Sequence, residues 1–371
     1  MIAVTYLPLF VTILFRGMPG VWQHRHRLVL CWLIVMQALF PGRKTLEELA
    51  RWTPGSITVW RFRRVLKAAY WDVPVLVAWW VEAALQTLPP PKDGTLHLVG
   101  DGSVKPKRGT QNPWAQKGRK SEHQPWFFGM RFALLMATWD VYRLPVAFRL
   151  IRRKTQPEYQ TENALFREMV RHFVPPTWAQ KVMVEGDAAY GSRENMQMVL
   201  TRDADDPARR WGFVCAMART WKTVEDKAIQ DLVTHLPRTY YQRIRVPRLP
   251  GTTGGKTFWV YSTRLCLRHL GDVTVILSKR GRNLGPKQTK ILVTKLDECI
   301  QRQVVSAYQR RWPVEIYQSC NLRRTLFWPK FDSLRRHTAQ RAVCDGEARR
   351  HMPWGWPPMI EPTPCLTEIP A

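Results

Sequence analysis

TLHLVGDG at residues 95–102 and VMVEGDAAYG at 182–191 are short apolar runs, each ending at an aspartate, Asp101 and Asp187, beside turn-forming residues. Runs of this length, bounded by glycine, read as buried strands. Between them, PWFFGMRFALLMATW and RLPVAFRLI read as two more strands, and TENALFREMVRHFV as an amphipathic helix. The order is therefore three strands, one helix and a fourth strand. If the strand after the helix lies beside the first strand, as a parallel crossover allows, Asp101 and Asp187 meet at neighbouring strand ends. Local structure alone cannot bring them together, because 86 positions separate them.

Residues 1–90 look helical and end at Pro89–Pro91. TLEELARW and SITVWRFRRVLKAAYW are two helical patterns joined by Thr53, Pro54 and Gly55. Thr45 and Ser56 suit N-caps, and Glu48 completes a capping box with Thr45. A short helix, a tight turn and a helix bearing Arg61, Arg63, Arg64 and Lys67 fit a DNA-binding helix-turn-helix. They fit a plain helical hairpin with a basic face equally well. Residues 205–290 are strand-rich: WGFVCAMAR, TYYQRIRVPRL, KTFWVYSTRLCL and DVTVILSKR, separated by turns. Helix is expected again over QTKILVTKLDECIQRQVVSAYQRRW, leading to Glu315. The tail from Ser319 lacks sustained periodicity and is dense in Arg, Pro and Trp.

The chain carries 57 Lys+Arg against 29 Asp+Glu, a net charge of +28. A surplus of this size favours a polyanion, because each neutralised phosphate releases condensed counterions. The tail from Ser319 has 8 basic and 5 acidic residues, so the surplus lies in the body of the protein. No Cys-x-x-Cys pair or zinc-spaced Cys/His cluster occurs among the 7 cysteines, and a reducing cytoplasm fits. The apolar stretches 4–15 and 28–40 fall short of the ~20 residues that cross a bilayer, so no membrane association is expected.

In order along the chain, Asp101 in G-D-G-S, Asp187 in G-D-x-x-Y-G, and Tyr308, Arg311 and Glu315 in Tyr-x2-Arg-x3-Glu resemble a DDE transposase of a bacterial insertion sequence. The group is the one with a Tyr-Arg-Glu-Lys signature, as in insertion sequence families four and seven-hundred-one. The likeness covers roughly residues 30–318 and fails at the final lysine, where Leu322 stands beside Arg323 and Arg324. It implies an α/β protein with an RNase H-like mixed sheet core (93–204 and 291–318), a β-rich insertion (205–290) and an all-α N-terminal domain (1–90). Residues 319–371 fit either a divergent tail or translation from a shifted frame, the latter giving a decayed copy.

The resemblance further implies two Mg²⁺ (or Mn²⁺) ions held by Asp101, Asp187 and Glu315, which suits phosphodiester cleavage and strand transfer. Tyr308 and Arg311, one turn apart, would grip a phosphate through the arginine fork, although Pro313 interrupts the stretch. The implied partners are double-stranded terminal inverted repeats and target DNA, engaged by a homodimer in a synaptic complex in the bacterial cytoplasm at the nucleoid. Lys105, Lys107, Arg108, Lys279, Arg280 and Arg282 are candidate backbone contacts, and the last three fit a solvated turn equally well. Trp259 is a candidate for stacking on a flipped base, or simply a core tryptophan. His123, before the second strand, is either close to the metals or structural. A catalytically inactive helix-turn-helix protein on the same core is the alternative.

Overall fold

The computed structural model describes residues 24–39, 45–53, 57–68, 73–106, 114–118, 126–247, 255–295 and 301–311. Four helices open it: α1 (His24–Leu39), α2 (Leu46–Trp52), α3 (Val59–Ala68) and α4 (Val73–Thr87). Leu49, Phe62 and Val65 of α2 and α3 bury against Val29, Trp32, Leu33 and Met36 of α1 in a small core of their own. Thr45 caps α2, its Oγ1 accepting from the Glu48 amide at 3.2 Å. The Glu48 carboxylate accepts from Arg51 at 2.7 Å. Thr58 Oγ1 takes the Arg61 amide at 3.3 Å and so caps α3, while Ser56 lies outside the described residues.

The remainder is a mixed sheet flanked by helices. Its strands are β1 (Thr95–Pro106), β2 (Gln116–Gly118), β3 (Phe127–Trp139), β4 (Tyr142–Ile151), β5 (Lys181–Gly186) and β6 (Arg210–Ala216). They are followed by β7 (Gln242–Val246), β8 (Lys256–Leu267), β9 (Gly271–Lys279) and β10 (Lys290–Thr294). The helices are α5 (Glu162–His172), α6 (Arg193–Asp205), α7 (Ile229–His235) and α8 (Gln301–Arg310). The sheet order is β2-β3-β1-β5-β6-β10-β9-β8-β7, with β4 also on β3. β3 runs antiparallel to β1, whereas β5 lies parallel to β1 and β6 parallel to β5. The adjacency expected of the first strand and the strand after the helix is thus present.

Strand period decides the two faces. Leu96 and Leu98 of β1, Val182 and Val184 of β5 and Phe213 of β6 pack with Phe166, Met169 and Val170 of α5 and Met196 and Val199 of α6. The alternate residues Met183, Val214 and Ala216, with Ile276 and Leu292, pack under Val304, Val305 and Ala307 of α8. A sheet covered on both sides has near-continuous apolar strands, which is why these runs do not alternate.

Two expectations change. Helix was expected to resume at Gln288, but Lys290–Thr294 is strand β10, antiparallel to both β9 and β6. Ile291, Val293 and Thr294 are β-branched and buried between the neighbours, and this favours a strand over a helix. Residues 205–290 also continue the sheet: β6 lies at its centre, and the β7–β9 meander joins through β10.

No helix among the described residues is long and apolar enough to cross a membrane. Among the described cysteines, Cys31 and Cys215 are buried and Cys266 is exposed. Burial pushes the Cys31 thiol up to about 11 and the Cys215 thiol up to about 12, the nearby Glu185 carboxylate adding to the latter. A hydrogen bond with Asp272 raises the Cys266 thiol as well, so access decides: iodoacetamide at pH 8 is expected to label exposed Cys266 and to reach Cys31 and Cys215 only in denaturant. Peptide mass mapping reads this directly.

Candidate active site

The parallel register of β1 and β5 runs from Thr95 opposite Lys181 to Val99 opposite Glu185. Beyond that ladder β5 ends at Gly186 and Asp187 follows it directly, while β1 continues past Asp101 to Pro106. Both residues are half-exposed, but Asp101 lies within its strand and not at the expected strand end, because β1 keeps pairing with β3 as far as Pro106. By alternation Asp101 lies on the face of His97 and Val99, opposite to Leu96 and Leu98. Tyr308 of α8 lies near enough to Asp187 to feel its charge. Burial pushes its hydroxyl up, Arg311 opposes this, and the charge of Asp187 adds to it.

Asp187 closes a turn on itself. Its Oδ1 accepts from the amides of Ala189 at 2.9 Å and Tyr190 at 3.3 Å, the local bonding that makes aspartate favoured in turns. The turn then packs on β6. A Cβ at Gly191 would lie 2.0 Å from the backbone oxygen of Ala216, so only glycine fits. Gly191→Ala is expected to cost about 2 kcal/mol or more through overpacking against an unyielding backbone. Urea denaturation measures that loss.

On the opposite face, Glu162 of α5 reaches over β1. Its Oε1 accepts from the Tyr190 hydroxyl at 2.7 Å, and its Oε2 accepts from Arg131 of β3 at 3.0 Å. The carboxylate occupies the space beside Gly102, where a Cβ would meet Oε1 at 2.0 Å. Gly100 is needed for the same reason against the Phe166 ring, at 2.3 Å. Tyr190 is buried, and its hydroxyl is pushed far up, first by burial, then by Glu162, with Asp101 and Asp187 adding. Behind the aspartates, Glu185 is fully buried and shares a hydrogen bond of 2.5 Å with His97 Nδ1. Burial raises the Glu185 carboxyl, while His97, Arg310 and Arg311 pull it down.

Other expected residues fall as follows. Glu315, Lys107, Arg108, His123 and Pro313 lie outside the described residues. Lys105 is half-buried on β1. Arg311 follows α8 directly, its guanidinium 5.7 Å from the Tyr308 ring centroid. Arg61 and Arg64 are exposed on α3, and Arg64 stacks on Trp60 at 5.1 Å. Lys279 is buried: its Nζ donates to the Leu284 carbonyl at 3.3 Å and sits 3.7 Å from the Tyr241 ring centroid. Arg280 is exposed and lies over Phe258 at 4.5 Å. Trp259 is half-buried on β8, with Arg282 over its ring at 5.3 Å.

Hard divalent cations select carboxylate oxygens, and two half-exposed aspartates on neighbouring segments suit such an ion as two of its ligands. Among the described residues, no group of three His, Cys, Asp or Glu could hold a metal. Sequence reasoning passed over Glu162, Tyr190 and the Glu185–His97 pair. The acid inside the apolar run VMVEGD was a signal for Glu185, since a buried charge demands a partner.

No protein-family model matches the chain, and no curated protein matches it in sequence. A solved structure, the "Cryo-EM structure of piggyBac transposase synaptic complex with hairpin DNA", matches with a TM-score of 0.46 and 11% sequence identity. That match covers 85% of this chain and 64% of the other.

Proposed function

We propose that this chain is a DDE-type transposase of an insertion sequence, which binds the ends of its element and cleaves and joins DNA with Mg²⁺ or Mn²⁺. One observation supports the reading: β1 and β5 pair in parallel, so the segments bearing Asp101 and Asp187 are neighbours, and Tyr190, three residues after Asp187, feels the charge of both aspartates. The strand order fits an RNase H-like core, which requires the first strand beside the strand after the first helix. The surplus of +28 supplies the attraction to DNA.

In this reading Asp101, Asp187 and Glu315 hold the divalent ions. When bound, such ions lower the pKa of water and stabilise developing charge on the attacking and leaving oxygens. Asp187 is held ready by the Ala189 and Tyr190 amides. Arg311 offers its guanidinium to a phosphate beside the scissile bond, and α3 presents Arg61 and Arg64 to the duplex. Two copies of the chain bring two element ends together.

The test is nicking of labelled DNA carrying the inverted repeats that flank the gene. Nicking with Mg²⁺ that stops on adding EDTA is the expected result. Binding of the repeats with no nicking under any metal would favour the second reading, a DNA-binding protein whose core does not cut. Binding should also weaken steeply with salt. For 6–10 phosphate contacts the affinity is expected to fall by roughly 10³-fold or more between 50 and 200 mM salt. A flat response in a fluorescence titration would count against a phosphate-dominated interface.

A further inference from the structure

We infer that Glu162 is a positioning residue for the Asp101–Asp187 pair, tying both aspartate-bearing segments to one carboxylate. The inference rests on the metal-site reading above and assigns its support. Glu162 opens α5, where Thr161 caps the helix by accepting the Ala164 amide at 3.2 Å, so its backbone is fixed. From there its two oxygens act separately. Oε1 takes the hydroxyl of Tyr190, three residues after Asp187, and Oε2 takes Arg131. The same carboxylate fills the notch at Gly102, next to Asp101. Asp101 sits within β1 and Asp187 just after β5, and Glu162 touches the neighbourhood of each.

A second set of bonds holds the same turn. Asn195, 2% exposed, donates through Nδ2 to the Tyr190 carbonyl and to Asn163 Oδ1, both at 2.8 Å, and its own Oδ1 accepts from Arg167 at 3.0 Å. Asn163 donates to the Ala189 carbonyl at 3.0 Å. The backbone of the turn is thus anchored by asparagines, and its outer end by Tyr190 on Glu162. Partners that orient metal ligands, once removed, typically cost 10–100-fold in metal affinity or activity.

The experiment uses the full chain and three variants: Glu162→Gln, Tyr190→Phe and the double. Glutamine removes the charge and keeps one accepting oxygen, so it cannot accept from both Tyr190 and Arg131 as the carboxylate does, and phenylalanine removes the hydroxyl. Two readouts are taken. Without metal, hydrogen exchange of the Ala189 and Tyr190 amides, which bond Asp187 Oδ1, is expected to rise on the order of 10-fold in each single variant. With metal, Mn²⁺ affinity measured by electron paramagnetic resonance of the free ion is expected to fall about 10-fold or more. The double variant should be no worse than the poorer single, because both cut one link.

Unchanged exchange and unchanged Mn²⁺ affinity in Glu162→Gln overturn the inference, as do additive losses in the double. Faster exchange in the variants, when wild type itself binds no Mn²⁺, would sink the metal-site reading and leave the brace standing. Glu162→Gln preserves shape and the helix start, so a folding failure of Tyr190→Phe would not spoil the result.

Discussion

Asp101→Asn and Asp187→Asn are each expected to lower Mg²⁺-dependent nicking on the order of 10³-fold, about 4 kcal/mol of barrier. The fold should survive both. Asparagine at 187 keeps an oxygen for the amides of Ala189 and Tyr190, which are the bonds that close the turn. Without metal, two carboxylates on neighbouring segments repel, and neutralising one relieves that cost. The metal-free variants should therefore melt no lower than wild type. The stabilisation that Mg²⁺ gives wild type, about 2.7 kcal/mol at 100 times its dissociation constant, should shrink sharply in both. Loss of activity together with gain or retention of metal-free stability separates a ligand from a structural residue. Nicking that persists in both variants would remove the aspartates from the chemistry.

Glu185→Ala is expected to destabilise the fold by about 3–5 kcal/mol, the cost of breaking a buried pair from one side. Glu185 has no exposed surface and the His97 side chain is 9% exposed, so water cannot replace the lost partner. The variant also empties space at the centre of the parallel strands, one residue from Gly186, which packs against Tyr190. Glu185→Gln preserves shape and a bond to His97 and should cost clearly less. Urea denaturation of the two variants gives the difference, and an alanine cost below about 1 kcal/mol would make the pair incidental.

The sheet's framework was legible because periodicity is a local signal. The runs around Asp101 and Asp187 and the amphipathic helix between them gave the order of elements, and the parallel crossover rule gave the neighbours. β10 was misread because KILVTKL carries apolar residues that suit either a strand or a buried helix turn, and only burial between β6 and β9 decides it. Lys279 looked like surface because a basic run beside a turn is usually solvated. Its position facing Tyr241 depends on a strand pairing that single-sequence pattern cannot set. Glu162 was invisible for a similar reason: its partners Tyr190 and Arg131 stand 28 and 31 positions away. The glycines of G-D-G were visible, but their cause, Phe166 and Glu162 pressed against the strand, was not.

The late strand β10 has a consequence for synthesis on the ribosome. Among the described strands it is the one that joins β6, complete at Ala216, to the β7–β9 meander. At translation rates of about 5–20 residues per second, roughly 4–16 s pass between the emergence of Ala216 and of Thr294. During that interval the growing chain carries an open hydrogen-bonding rim on β6, joined by a second on β9 once Lys279 has emerged, each able to capture a foreign strand. Nascent protein halted before Lys290 should consequently be the most dependent on chaperones, and the released chain far less so.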